Sequence, residues 1–516
     1  MAPPLWSKQG CWTCRLRKKK CDEGHPQCST CESLSIPCHG YGPKPDWMDG
    51  GDDERAVANG IKEVVKHTSR RKAANSAKQR DPAKIAPKSA PVTESSASPL
   101  EIENSDIPNP ASSADESALL MHFLDHVFSL QFPVYRPSIQ DGGRGWLLSA
   151  LLHTKSLYHG ALALSAYHRR TAASAVLSQP SQIASLVQQE KHLETCIKSL
   201  NMFTQTSCPN SELGTITAIL QLAFFEVFTN YGNAWQAHLR AAMNMYQRCS
   251  NNDLAYLSLA NRSRGVLNEG RPLLEHETAV SNETAQFTLI SGAMIWLDII
   301  SCLTAPSAPQ LLSYHSTVLA SDSQTRLENI MGCENWVMLQ IGRIAALQEQ
   351  KIQALQQEHF NCGGFGQSVA DINKELQCGL DASELDFAGK CNPAIRITRV
   401  FASMASVYLH LITNGFQQLD VLDSVISRVM IMLQTEIPSA LLSPLVAPLY
   451  VIGSAARQED EQFFRDAFSS PPLLDTSLKQ RTRILPILEE IWKKRRTEPS
   501  FMWEDSQNLV QGILLI

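Results

Sequence analysis

Six cysteines between residues 11 and 38, spaced Cys11-x2-Cys14-x6-Cys21-x6-Cys28-x2-Cys31-x6-Cys38, constrain this chain more than any other feature. The spacing is an internal duplication: adding 17 to 11, 14 and 21 gives 28, 31 and 38. It implies two similar loop-and-helix halves related by a local pseudo-two-fold, with Gly24 and Pro26 supplying the turn between them. The opening residues hold no apolar stretch of signal-peptide length, so a reducing compartment is expected. There a dense thiol cluster reads as a metal site before it reads as disulfides. Structural zinc takes four tetrahedral ligands, so six thiolates are awkward for one ion and too few for two unless some are shared. Two zinc ions per chain become feasible if two cysteines bridge both metals. The duplication puts the bridging pair at equivalent places, and Cys11 and Cys28 are the pair we select. The resulting cluster is net anionic, and flanking bases help offset its charge.

The halves are alike in thiols and unlike in everything else. Between Cys14 and Cys21 lie Arg15, Leu16, Arg17, Lys18, Lys19 and Lys20, whereas Glu32 to Pro37 contain no base. A short helix in the first half would carry a concentrated positive face into a DNA major groove. Lys or Arg can donate there to guanine acceptors while neighbouring bases neutralise phosphates. The net charge of -5 conceals the same asymmetry. Residues 1–90 carry 17 Lys and Arg against 10 Asp and Glu, and residues 91–516 carry 29 against 41. A basic head on an acidic body suggests a polyanion-binding end joined to a body that does not bind polyanions.

Beyond the cysteines, residues 39–50 read as a Gly- and Pro-rich strap. Residues 51–90 are polar and basic, with a short helical stripe of Val57, Ile61 and Val64 interrupted by Gly60. That stripe is under two heptads long, a weak basis for pairing two chains. Arg70, Arg71, Lys72, Lys78 and Arg80 suit a two-part nuclear address, extra phosphate contacts or a solvated face. Residues 91–116 hold six acids, four prolines and no base, so 39–116 is expected to be a strap and a mostly disordered linker, basic then acidic.

From 117 to 516 the pattern turns helical, with stripes such as Leu120, Phe123, Leu124, Val127 and Phe128, or Ile216, Ile219, Leu220, Ala223 and Val227. Others are Ile341, Ile344, Ile352 and Leu355, and Leu422, Val425, Val429 and Leu433. Alternating strands are missing, so a large all-α domain is expected. The longest apolar runs, 215–228 and 440–451, fall short of the ~20 residues of a membrane span. The eight later cysteines read as small buried apolar residues, and His153, His159 and His168 are too irregular for a metal site. No nucleophile elbow, P-loop or H-E-x-x-H motif is found, so the chain is not expected to be an enzyme.

The six cysteines and the Arg-x-Arg-Lys-x-Lys run from Arg15 to Lys20 closely resemble the fungal zinc binuclear cluster family of transcription regulators. The resemblance implies two zinc ions held by Cys11, Cys14, Cys21, Cys28, Cys31 and Cys38, with Cys11 and Cys28 bridging. It also implies a basic helix that reads CGG-type half-sites, Lys18 making the central base contact and Arg15, Arg17, Lys19 and Lys20 touching base or phosphate. Segments 119–135, 142–169, 232–242 and 333–347 resemble, in that order, the fungal-specific transcription factor regulatory domain of the second type. Together they imply a nuclear regulator of RNA polymerase II genes, with duplex DNA and the transcription machinery or co-regulators as partners and no membrane; monomer and homodimer are both left open. A metabolic or biosynthetic gene cluster is the family-level target. The alternative reading is a zinc module for protein contacts, its basic run serving only as a nuclear address.

Overall fold

Each half of the cysteine segment forms a short helix closed in the same way. Helices α1 (Trp12–Leu16) and α2 (Ser29–Ser33) begin at Cys11 and Cys28. After α1, the Lys18 and Lys19 amides donate to the Arg15 and Cys14 carbonyls at 3.0 and 2.9 Å. After α2, the Ser35 and Ile36 amides donate to the Glu32 and Cys31 carbonyls at 2.9 and 3.1 Å. This paired closure puts the residue after the cap in the left-handed region. Lys18 and Ser35 both have φ of +54°. The duplication of the sequence is therefore a duplication of the backbone.

The structure is a computed structural model that describes residues 9–78, 114–137, 143–203, 212–230, 234–252, 275–321, 323–357, 362–387 and 392–516. Two compact units divide it, Met1–Phe123 with Leu151–Ser207 and Leu124–Ala150 with Cys208–Ile516. Among the described residues there is no strand.

In the first unit the strap folds back over α1. The Trp12 amide donates to the Gly40 carbonyl at 3.0 Å and its indole to the Gly42 carbonyl at 2.9 Å. Thr13 Oγ1 donates to the Pro37 carbonyl at 2.7 Å and accepts from the His39 amide at 3.0 Å. The strap leads into α3 (Asp52–Lys78), which opens on Asp52, Asp53 and Glu54, acids suited to a helix N-terminus. Here the structure departs from the linker expected at 51–90: α3 runs 27 residues, and its middle is packed. The unit continues through α4 (Ala114–His122) and, after α5 (Phe128–Gln131) and most of α6 (Gly145–His153), which fall in the second unit, through α7 (Lys155–Ala172) and α8 (Gln179–Phe203). Val57, Ile61 and Val64 are fully buried in one core with Ile183 and Leu186 of α8 and the cluster cysteines. Gly60, which reads as a weakness in an isolated helix, sits where α3 and α8 cross: a Cβ there would lie 2.2 Å from Ile183 Cγ2. On the other side of the hairpin, Leu119 of α4 packs on Tyr158, Leu162 and Ala166 of α7, and Ser165 Oγ donates to the Leu119 carbonyl at 2.6 Å.

The second unit is a helical body whose long members include α9 (Glu212–Thr229) and α10 (Ala234–Asn252) and the helices Glu275–Ser301, Asn335–Gln356 and Pro393–Asn414. Trp235, Trp492, Trp503, Tyr408 and Tyr450 are among its fully buried side chains. The Trp235 and Trp492 indoles donate to the Gly512 and Gly453 carbonyls at 2.9 and 2.7 Å, meeting the need of a buried N–H. Residues 512–516 are built into this core. Gln480 accepts from the Leu514 amide at 3.0 Å, and Arg481 donates to the Ile516 carbonyl at 2.9 Å. Burial lowers the Arg481 guanidinium to about 10.

Three spans, Glu212–Thr229, Asn282–Thr304 and Pro393–Asn414, are long and apolar enough by length and composition to cross a membrane, longer than the sequence pattern suggests. They are 78%, 83% and 78% buried inside the structure, so protein packing covers most of their apolar surface. Two further expectations need correction. Leu355 is exposed rather than part of the buried stripe of Ile341 and Ile344. Cys196, Cys302 and Cys333 are buried, but Cys362 and Cys378 are exposed and Cys249 is partly so; Cys208 and Cys391 lie outside the described residues.

Truncating Ile61 to Ala removes a fully buried side chain from the α3–α8 core and should cost about 2–5 kcal/mol. Denaturant unfolding of the full chain tests this, since a solvated linker position would change stability by under about 0.5 kcal/mol.

Candidate metal centre and basic turn

All six N-terminal cysteines converge. Cys11, Cys14, Cys21 and Cys28 place their sulfurs within 4.8 Å of one another, and so do Cys11, Cys28, Cys31 and Cys38. The two tetrads share Cys11 and Cys28, the cysteines at the N-caps of α1 and α2. The Cys11–Cys28, Cys14–Cys28 and Cys11–Cys31 sulfur separations are 3.6, 3.7 and 3.7 Å. A tetrahedron with metal–sulfur bonds of about 2.3 Å has sulfur–sulfur edges of about 3.8 Å, so the donor set fits zinc in type and spacing.

Backbone amides already face these sulfurs. Cys14 N–H donates to Cys11 Sγ at 3.4 Å, and Cys31 N–H donates to Cys28 Sγ at 3.3 Å, 17 residues on. Cys21 accepts from the Cys11 and Glu23 amides at 3.5 and 3.4 Å. Burial opposes ionisation of Cys21, but these donors and the Tyr41 hydroxyl outweigh it and hold the thiol at about 7. Burial pushes Cys14 up to about 11, against a lowering bond to Cys11, and raises Cys11 and Cys31 further, where neighbouring thiols add to the effect. A metal entering the cluster must therefore displace protons from its most buried sulfurs.

Side chains that the cysteine pattern does not point to hold this geometry. Asp22 caps α2, accepting from the Ser29 hydroxyl and amide at 2.7 and 3.0 Å and from the Thr30 amide and hydroxyl at 3.1 and 3.2 Å. These bonds, Ser29 foremost, hold its carboxyl well below the usual carboxylate range. Tyr41 OH donates to the Gly24 carbonyl at 2.8 Å and so ties the strap to the turn between the halves.

The basic run is placed differently from the helical face expected of it. Only Arg15 lies within α1, and its guanidinium stacks 4.3 Å from the Trp12 ring centroid. Arg17 is the C-cap, half-buried, with one terminal nitrogen enclosed without an acceptor. Lys18 occupies the left-handed turn, and Lys18, Lys19 and Lys20 are exposed. The turn sends three ammonium groups outward just past the helix C-terminus, where cations suit the helix dipole. Farther along, Arg71 is mostly buried and pairs with Glu190 at 3.3 Å, while the exposed Lys72 donates through Nζ to the Ser33 carbonyl; Lys78's side chain and Arg80 lie outside what is described. His159 and His168 pair with other histidines. His159 Nδ1 lies 3.0 Å from His192 Nδ1, and burial lowers these two to about 4 and about 3. His122 Nε2 lies 2.8 Å from His168 Nδ1.

Comparison with known proteins agrees with this arrangement. Residues 9–48 match the fungal Zn(2)-Cys(6) binuclear cluster domain, and residues 118–516 match the fungal specific transcription factor domain. The chain is 42% identical, over the full length of both proteins, to the pestheic acid cluster transcriptional regulator 3 of Pestalotiopsis fici. It is 24% identical to the transcription factor dibT of Pestalotiopsis microspora, covering 98% of each chain. With the ustiloxin B cluster transcription factor ustR of Aspergillus flavus it shares 26% identity over 94% of each. No solved structure matches the chain.

Asp22→Ala removes its four bonds to Ser29 and Thr30 at the start of α2 and should leave the Cys28–Cys38 half looser. Chelator competition on the zinc-loaded chain should show faster metal loss than in the unmodified protein; an unchanged rate would mean the cap does not steady the cluster.

Proposed function

The chain belongs to the fungal transcription factors that join a Zn(2)-Cys(6) binuclear cluster to a fungal specific transcription factor domain, and from that premise we propose that it reads CGG-type half-sites with one basic turn held by two thiolate-bridged zinc ions. It is a transcription regulator and not an enzyme. The observation that carries the reading is the pair of sulfur tetrads sharing Cys11 and Cys28, with Lys18 turned outward at the end of α1. Zinc bound there would supply no reaction. It fixes α1 against α2 and thereby the direction in which the lysines leave the backbone.

Lys18 is the base-reading residue in this proposal, its ammonium donating to guanine acceptors in the major groove. Lys19 and Lys20 neutralise phosphate and set register. Arg15 and Arg17, one stacked on Trp12 and the other half-buried, have less reach toward DNA and support the turn. The chain acts in the nucleus on RNA polymerase II genes. Its targets are the genes of a biosynthetic cluster, a reading supported by relatives named for the pestheic acid and ustiloxin B clusters.

The full chain should hold two zinc ions, counted by native mass spectrometry or elemental analysis; a reproducible single zinc would remove the bridged cluster.

Lys18→Gly deletes the side chain while suiting the left-handed backbone, so zinc content should stay intact. Binding to a CGG-containing duplex should weaken by about 1–3 kcal/mol. Equal losses on CGG and scrambled duplexes in a fluorescence titration would reduce Lys18 to a phosphate contact.

A further inference from the structure

The stripe on α3 is the segment after the cysteine module that could join two copies of the chain, and in the structure it is already occupied. Val57, Ile61 and Val64 meet Ile183 and Leu186 of α8 and are fully buried. Gly60 lies in the same seam, and the 2.2 Å between its would-be Cβ and Ile183 Cγ2 means that this crossing admits no side chain there. A seam of under two heptads is a poor competitor for such a site, because pairing two copies would first expose the apolar face of α8.

Polar groups fix the register of the same contact. Glu190 of α8 has a buried side chain, and its cation comes from α3: Arg71 lies 3.3 Å away and is itself mostly buried. Thr68 Oγ1 donates to Glu190 at 3.4 Å, and His67 Nδ1 contacts Glu194, which also pairs with Lys198 at 2.5 Å. A carboxylate enclosed with a partner on another helix disfavours any arrangement that removes the partner. The contact reaches the thiol cluster as well. Lys72 Nζ donates to the Ser33 carbonyl at the end of α2, and His39 of the strap meets Gln179 at the start of α8 at 3.1 Å. Gln179 and Glu190 lie within the residues that match the fungal specific transcription factor domain, whereas the cysteines lie within the other match.

We propose that α3 is a docking arm bound by the chain's own α8, so that the helical domain holds the zinc module and each chain meets DNA with one module, unpaired through α3. The DNA part rests on the function proposed above; the docking part does not.

The geometry supplies a staple. A Cβ built on Gly60 lies 3.5 Å from Ile183 Cβ, within the usual range of a disulfide, and the double variant Gly60→Cys/Ile183→Cys removes the Cγ2 that would clash. The zinc-loaded full chain carrying both changes should form this bond nearly completely under mild oxidation, with peptide mass spectrometry locating it. Its mass by light scattering should be the same oxidised and reduced. Its affinity for a duplex with one CGG half-site should change less than twofold on stapling, with one chain per duplex.

A low staple yield in folded, zinc-loaded protein overturns the proposal. So does a dimer that stapling converts to monomer, or a tenfold or greater loss of affinity that reduction restores. If the double variant does not fold, hydrogen exchange on the unmodified chain decides: protection of the amides from Val57 to Arg71 supports docking, and free exchange there overturns it. If no form binds the duplex, the DNA reading fails while staple yield and mass still judge the docking.

Discussion

Six thiols gathered so closely that two tetrads share sulfurs cannot all ionise without a cation among them, and the N-terminal fold is arranged around that constraint. Burial drives the innermost thiols toward the protonated form, while amides at the start of α1 and α2 are aimed at Cys11 and Cys28. Each helix is only five residues long, too short to persist by its own hydrogen bonds. The helices exist because their ends are tied to sulfur, and the metal's worth to the fold is the free energy of binding thiolates that it deprotonates on entry.

The second constraint is the α3–α8 crossing. It joins a module that is small for an independent core to a helical hairpin that supplies one. The module therefore does not rest on metal alone, since Cys11, Cys14, Trp47, Val57, Ile61 and Ile183 all belong to one buried cluster. Inside the crossing the buried Glu190 carboxylate of α8 takes its cation, Arg71, from α3.

Much of the thiol cluster was legible in the sequence because ligand spacing is a property of short stretches: a repeat of 17 residues points to two like loop-and-helix halves and to the equivalence of Cys11 with Cys28. The all-helical class was equally open to reading from the apolar periodicity. The basic run was legible in composition but not in geometry. The turn at Lys18 is of a kind usually signalled by glycine, and a lysine there gives no such hint. The partner of α3 was hidden for a different reason. Gln179, Glu190 and Glu194 lie more than a hundred residues beyond the cysteines, and Gly60 looks like a helix defect until Ile183 is placed against it. Asp22 could have been suspected from its place before Ser29 and Thr30, though proximity in sequence does not reveal that one carboxylate serves both.

The distance along the chain between α3 and α8 has a consequence for biogenesis. Synthesis runs from the N-terminus, so the cysteine segment and α3 leave the ribosome well before the residues that will cover them. During that interval Val57, Ile61 and Val64 have no α8 to cover them, so the crossing closes only after the chain has been made as far as α8.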